Sequence, residues 1–136
     1  MSLNVDSLRK SIAVLHRSLE VAEAHKDNED LKDTLRSGVI QNFEVAYEQC
    51  WKMMKRWLEM NISSTTADGV TRRELFRLIA ENRMIDDVEQ WMRYHEARNQ
   101  TSHIYEPEVA ENVYAVTHGF ARDGLRFLQA LETRND

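Results

Sequence analysis

The chain has 136 residues, a formal net charge of −5 and a single cysteine, Cys50. That length fits one domain, able to bury about two-thirds of its unfolded surface. One cysteine excludes an internal disulfide and fits a reducing, cytoplasmic setting. The acidity argues against a protein that holds nucleic acid by bulk electrostatics, though not against a small basic site that touches RNA briefly. No stretch approaches the length of a membrane span, and residues 1–6 lack a basic segment followed by an apolar run. Four glycines and one proline favour long helices over sheets.

In chain order, Asn4 or Asp6 can cap a first helix. Its apolar stripe is Leu8, Ile12, Leu15, Leu19 and Ala22. A polar turn at Lys26, Asp27 and Asn28 ends it. The second helix is expected from about residue 29 to residue 61. Leu31, Leu35, Val39, Phe43, Ala46, Cys50, Met53 and Trp57 form its main stripe, and Ile40, Tyr47, Trp51, Met54 and Leu58 widen it to a second face. Such a helix should pack on more than one neighbour, in a bundle or at a subunit interface. Gly38 costs about 1 kcal/mol against alanine inside a helix and could permit a close helix approach.

Residues 63–69 read as a loop. Thr71 and Glu74 then form a capping-box pattern at the start of a short third helix that ends near Asn82. Asp86 or Asp87 can cap a fourth, along which Val88, Trp91, Met92 and His95 face one way. Pro107 disfavours helical geometry at Glu106 and suits the first turn of a fifth helix. Val109, Val113, Val116, Phe120, Phe127 and Leu131 form the stripe of that helix. The expectation is an all-α, antiparallel up-and-down four-helix bundle with one additional short helix.

Many chemistries are missing. The phosphate-cradling glycine loops, Cys-x-x-Cys, His-Glu-x-x-His and Gly-x-Ser-x-Gly are all absent. None of the histidines has a glutamate three residues before it, so the di-metal bundle motif is absent as well. The Gly-Ser dipeptide that normally opens a nucleotidyltransferase site is not present, so the chain is not that enzyme by itself. His16, His25 and His118 read as surface or interhelix residues, and His95 as a core residue or a support for a nearby site.

What remains is Arg98-Asn99-Gln100-Thr101-Ser102-His103-Ile104-Tyr105, an Arg-x4-His-x-Tyr segment between a patterned helix and Pro107. On a straight helix Arg98 and His103 would lie about 140° apart. Convergence needs a helix that ends within the motif, or a second subunit contributing its own copy across a two-fold axis. The residue types suit phosphodiester cleavage. A near-neutral histidine can take a proton from a ribose 2′-hydroxyl or give one to the leaving oxygen. An arginine can hold the phosphate with charge-assisted hydrogen bonds. Asn99 and Ser102 could orient the histidine or donate to phosphate. The same spacing also fits a plainer arrangement, with Arg98, Asn99 and Ser102 closing a helix C-terminus, where the dipole favours a cation, and with His103 and Tyr105 packing.

Two stretches, residues 42–58 and 98–105, together with the helical layout, resemble the nucleotidyltransferase substrate-binding proteins of the HEPN superfamily (higher eukaryotes and prokaryotes nucleotide-binding domain). The likeness covers nearly the whole chain and implies one such domain over residues 1–136. It implies a homodimer that binds a minimal nucleotidyltransferase made as a separate chain. Many such pairs act as toxin and antitoxin, the HEPN partner being a metal-independent ribonuclease with no cofactor and with RNA as its transient substrate. By that resemblance Arg98 and His103 are the catalytic pair, and Tyr105 is the tyrosine the partner can adenylylate, which would place a negative phosphate beside Arg98. The older family name implies a different role, a non-catalytic subunit that presents substrate to the transferase. Glu44, Glu48, Trp51 and Lys52 would then line a cleft between helices or a dimer interface.

Overall fold

The computed structural model describes residues 3–134. Those residues fold into five α-helices: α1 (Asp6–Ala24), α2 (Lys32–Asn61), α3 (Arg72–Glu81), α4 (Val88–Asn99) and α5 (Pro107–Thr133). A single 3-10 turn, Thr101–His103, separates α4 from α5. The all-helical architecture agrees with the sequence expectation, including one short helix, α3. Among the described residues no helix is long and apolar enough to cross a membrane.

Helix α1 starts one residue after Val5, and Asn4 Oδ1 accepts the Asp6 N–H at 3.0 Å. Helix α2 begins at Lys32, later than its apolar pattern suggests. The Asn28 carbonyl accepts from both Leu31 and Lys32 N–H, and the Asn28 side chain accepts from Asp30 N–H, so residues 28–31 close on themselves as a turn. Thr71 Oγ1 accepts the Glu74 N–H at 3.1 Å, and Asp87 Oδ1 accepts the Gln90 N–H at 3.1 Å. These two bonds fix the starts of α3 and α4 by meeting amides that the helix leaves unpaired. Helix α3 ends in a Schellman motif. Met84 N–H bonds the Ile79 carbonyl, Arg83 N–H bonds the Ala80 carbonyl, and Arg83 takes the left-handed φ of 60° that this cap needs.

Helix α2 touches every other α-helix. Both of its stripes are buried: Val39, Phe43, Ala46, Cys50, Met53 and Trp57 on one, Ile40, Tyr47, Met54 and Leu58 on the other. Trp51 is half-buried at the edge, and towards the start of the stripe Leu35 is half-buried and Leu31 exposed. The centre of the core is an aromatic cluster around Phe120 on α5. Its ring meets Phe43 edge-on at 5.1 Å, Tyr94 at 5.3 Å, Trp91 at 5.8 Å and Tyr47 at 6.2 Å between centroids. These edge-to-face contacts add to the burial itself and tie α2 and α4 to α5.

Gly38 has open space where a Cβ would stand, so it makes no close helix approach. Gly124 makes one instead: a Cβ there would come within 2.9 Å of Ile12 Cδ1 on α1. Gly38→Ala is therefore expected to stabilise the protein by about 0.5–1 kcal/mol, the helix cost of an exposed glycine. Urea denaturation should show the midpoint rise with an unchanged slope.

Candidate active site

The motif sits where α4 stops. Gln100 N–H reaches back to Glu96 and Ala97, His103 N–H to Gln100, and Glu106 N–H to His103. Thr101 Oγ1 lies 2.8 Å from the Arg98 carbonyl, one of the acceptors a helix end leaves free. Glu106 is extended, with ψ 116°, as the following Pro107 requires. The helix thus ends inside the motif, between Arg98 and His103.

Arg98 is anchored. Its Nε donates to Glu48 Oε1 at 3.0 Å, and its Nη1 lies 3.3 Å from Glu44 Oε2 and 3.5 Å from Thr101 Oγ1. Thr101 Oγ1 is also 3.1 Å from Glu44 Oε2, so its single proton is shared between that carboxylate and the Arg98 carbonyl. Glu48 uses its second oxygen to accept from Trp51 Nε1 at 2.8 Å. Glu44, Glu48 and Trp51 lie on one face of α2, one turn apart. Together they hold the guanidinium at a fixed place on the bundle's edge.

His103 behaves differently. It is exposed, and among the described residues its ring meets only Tyr105, at 6.3 Å between centroids. Tyr105 is 77% exposed. Ser102 is exposed as well. Among the described residues no hydrogen bond, ion pair or ring contact joins Arg98 to His103 within one chain. Asn99 points to His95 rather than to His103, with its Nδ2 3.5 Å from His95 Nε2. Lys52 is exposed, with its Nζ 5.9 Å from the centroid of the Trp51 ring.

Behind the motif, His95 Nδ1 lies 2.9 Å from the buried Tyr47 hydroxyl. A neutral ring satisfies both contacts if Nδ1–H donates to Tyr47 Oη while Nε2 accepts from the Asn99 amide. Burial, aided by the positive charges of Arg72 and Arg98, holds the His95 pKa below the usual histidine value. The unfolded chain therefore takes up this proton at a higher pH than the folded chain. The resulting stability is complete above the unfolded pKa and is lost as pH falls through the folded one. His95→Gln is expected to flatten the fall in stability between about pH 7 and pH 5, measured by denaturant midpoints at the two pH values.

Thr101 lies inside the motif and Arg72 inside the capping box of α3, but the sequence gives neither of them a role at the site. The one legible hint was the pairing of Glu44 with Glu48, four residues apart and so on one face of the helix. Among the described residues no group of three or more His, Cys, Asp or Glu side chains is arranged to hold a metal ion.

The fold and this site define a small helical bundle that carries an Arg-x4-His-x-Tyr segment at a helix break. The chain belongs to the family described as nucleotidyltransferase substrate binding protein like, whose model matches residues 3–133. It is 37% identical over 106 residues to the Haemophilus influenzae protein named "Probable ribonuclease HepT", covering 77% of this chain and 73% of that one. Its structure is also similar to that of HI0074 from Haemophilus influenzae, described as revealing the fold of a substrate binding domain of a nucleotidyltransferase. The TM-score is 0.88 at 29% identity, covering 95% of this chain and 99% of that chain.

Proposed function

We propose that this chain is a metal-independent ribonuclease, the toxin of a HEPN–nucleotidyltransferase pair, acting as a homodimer. The observation that carries the reading is the helix break. It leaves His103 free at the surface while Arg98, five residues earlier, is locked in place by Glu44 and Glu48. In the reaction a ribose 2′-oxygen loses its proton and attacks the adjacent phosphorus. The bond from phosphorus to the 5′-oxygen breaks, and that oxygen leaves with a proton. His103 serves as base or acid, and in a dimer the two copies can supply both. The N–H groups of Arg98 that face away from the glutamates hold the phosphate as negative charge builds.

The partner transferase would neutralise the toxin by transferring AMP from ATP to Tyr105: the phenol oxygen loses its proton and bonds the α-phosphorus, and the α–β phosphoanhydride bond breaks to release pyrophosphate. The high exposure of Tyr105 and its ring contact with His103 support this reading. A second reading makes the chain a non-catalytic substrate-binding subunit of a two-chain nucleotidyltransferase. What favours it is that Arg98 already has two carboxylates against it, which reduces its pull on a phosphate.

Incubating the purified chain with a mixed RNA pool in the presence of a chelator tests the choice. The mass of Tyr105-containing peptides should be checked beforehand. Cleavage is expected from the unmodified chain. Intact RNA with an unmodified Tyr105 would leave the binding-subunit reading.

A further inference from the structure

A second cluster lies beside the Arg98 anchor, and the reaction described above does not use it. The Arg72 guanidinium stacks on the Trp51 ring, its carbon 3.8 Å from the ring centroid, and Lys52 stands near the same ring. Lys55 joins Trp51 and Arg72 in lining a cavity of about 150 Å³ with Ala67 and Leu75. Among the described residues no carboxylate comes within ion-pair distance of Lys52, Lys55 or Arg72. Arg72 also has a buried donor, Nη1, without a hydrogen-bond partner. Two cations at one aromatic ring, Arg72 and Lys52, with Lys55 in the adjoining cavity and none of the three ion-paired, form in a chain of net charge −5 a local site for an anion that also offers a flat surface.

Glu48 links this cluster to the motif. One of its oxygens accepts from Trp51 Nε1 at 2.8 Å and the other from Arg98 Nε at 3.0 Å. A single carboxylate therefore separates the Trp51–Arg72 stack from the Arg98 guanidinium. Arg72 and Arg98 also both act on the His95 imidazole, which places them in one electrostatic neighbourhood.

We propose that Trp51, Arg72, Lys52 and Lys55 form a subsite for the nucleotide that flanks the scissile phosphate in single-stranded RNA. The inference rests on the ribonuclease reading and gives it a substrate class. Only an unpaired base can lie against a ring or a guanidinium plane, because the bases of a duplex are stacked on one another. The lysines would meet the backbone phosphates on either side of that base. A protein partner fits less well, since lysine is depleted from interface cores and would be desolvated here without a counter-charge.

The test is binding rather than cleavage. A fluorescent single-stranded RNA is titrated against the full chain carrying His103→Ala, with and without the added pair Lys52→Ala and Lys55→Ala. Circular dichroism checks the fold of each. The added pair is expected to weaken binding about tenfold or more and to make the salt dependence shallower by about 0.7 per cation removed. Unchanged affinity and slope would overturn the subsite, even if the wild-type chain cuts RNA. If RNA affinity holds but self-association or capture of the nucleotidyltransferase is lost, the surface is a protein interface and the proposal fails. Loss of affinity supports the subsite whether or not wild type cuts, so absence of cutting would count against the ribonuclease reading alone.

Discussion

His103→Ala is expected to slow RNA cleavage by about 10²–10⁴-fold, the usual contribution of a positioned acid or base, while leaving the thermal unfolding midpoint unchanged. The second half follows from exposure: among the described residues the His103 ring meets only Tyr105, and its backbone bonds survive the substitution. Arg98→Ala should also abolish cleavage, but with a structural cost. Glu44 and Glu48 would lose the cation they share, and two half-buried carboxylates would face one another. Adding Glu44→Gln and Glu48→Gln should restore stability without restoring activity. Parallel cleavage assays and melting curves separate the cases. A His103→Ala protein that is folded and fully active would sink the assignment of that residue.

The second large effect concerns the frame that brings Glu48 to Arg98. Phe120→Ala is expected to cost about 3–5 kcal/mol, a large fraction of the roughly 5–15 kcal/mol typical of a whole domain. The ring contacts Phe43 and Tyr47 on α2, and Trp91 and Tyr94 on α4. Removing it opens a cavity between three helices that cannot all close on it. Urea denaturation should show the lowered midpoint, with His118→Ala, an exposed position on the same helix, as the control. A loss of less than about 1 kcal/mol, the range of surface substitutions rather than core ones, would mean that the core is organised elsewhere.

Much of this frame was legible in the sequence because its information is local. Apolar stripes gave the helices, and the doubled stripe of α2 gave its central position. Pro107 gave the break before α5, Thr71 gave the start of α3, and the start of α4 was narrowed to Asp86 or Asp87, of which Asp87 is the cap. The start of α2 was less legible, because Leu31 continues the apolar period although the backbone there still follows the turn at Asn28. Gly38 and Gly124, both inside helices, were indistinguishable by rule, since whether a Cβ has room depends on a neighbouring helix.

The network around Arg98 was not legible for a related reason. Glu44 and Glu48 lie 54 and 50 residues before Arg98, and no periodic pattern encodes how far α2 slides along α4. That register is set by the aromatic cluster around Phe120. Asn99, four residues before His103, was equally well placed on a straight helix to face it. The helix ends first, so the amide faces His95 instead.

Cys50 lies wholly within the core, and burial pushes its thiol pKa up. The thiolate is the reactive form, so maleimide and iodoacetamide reagents should pass over the native chain. A cysteine introduced by Tyr105→Cys would then be the one position to take a dye or spin label. The exposed turn after α4 could thus be watched by fluorescence or paramagnetic resonance without first removing a native thiol.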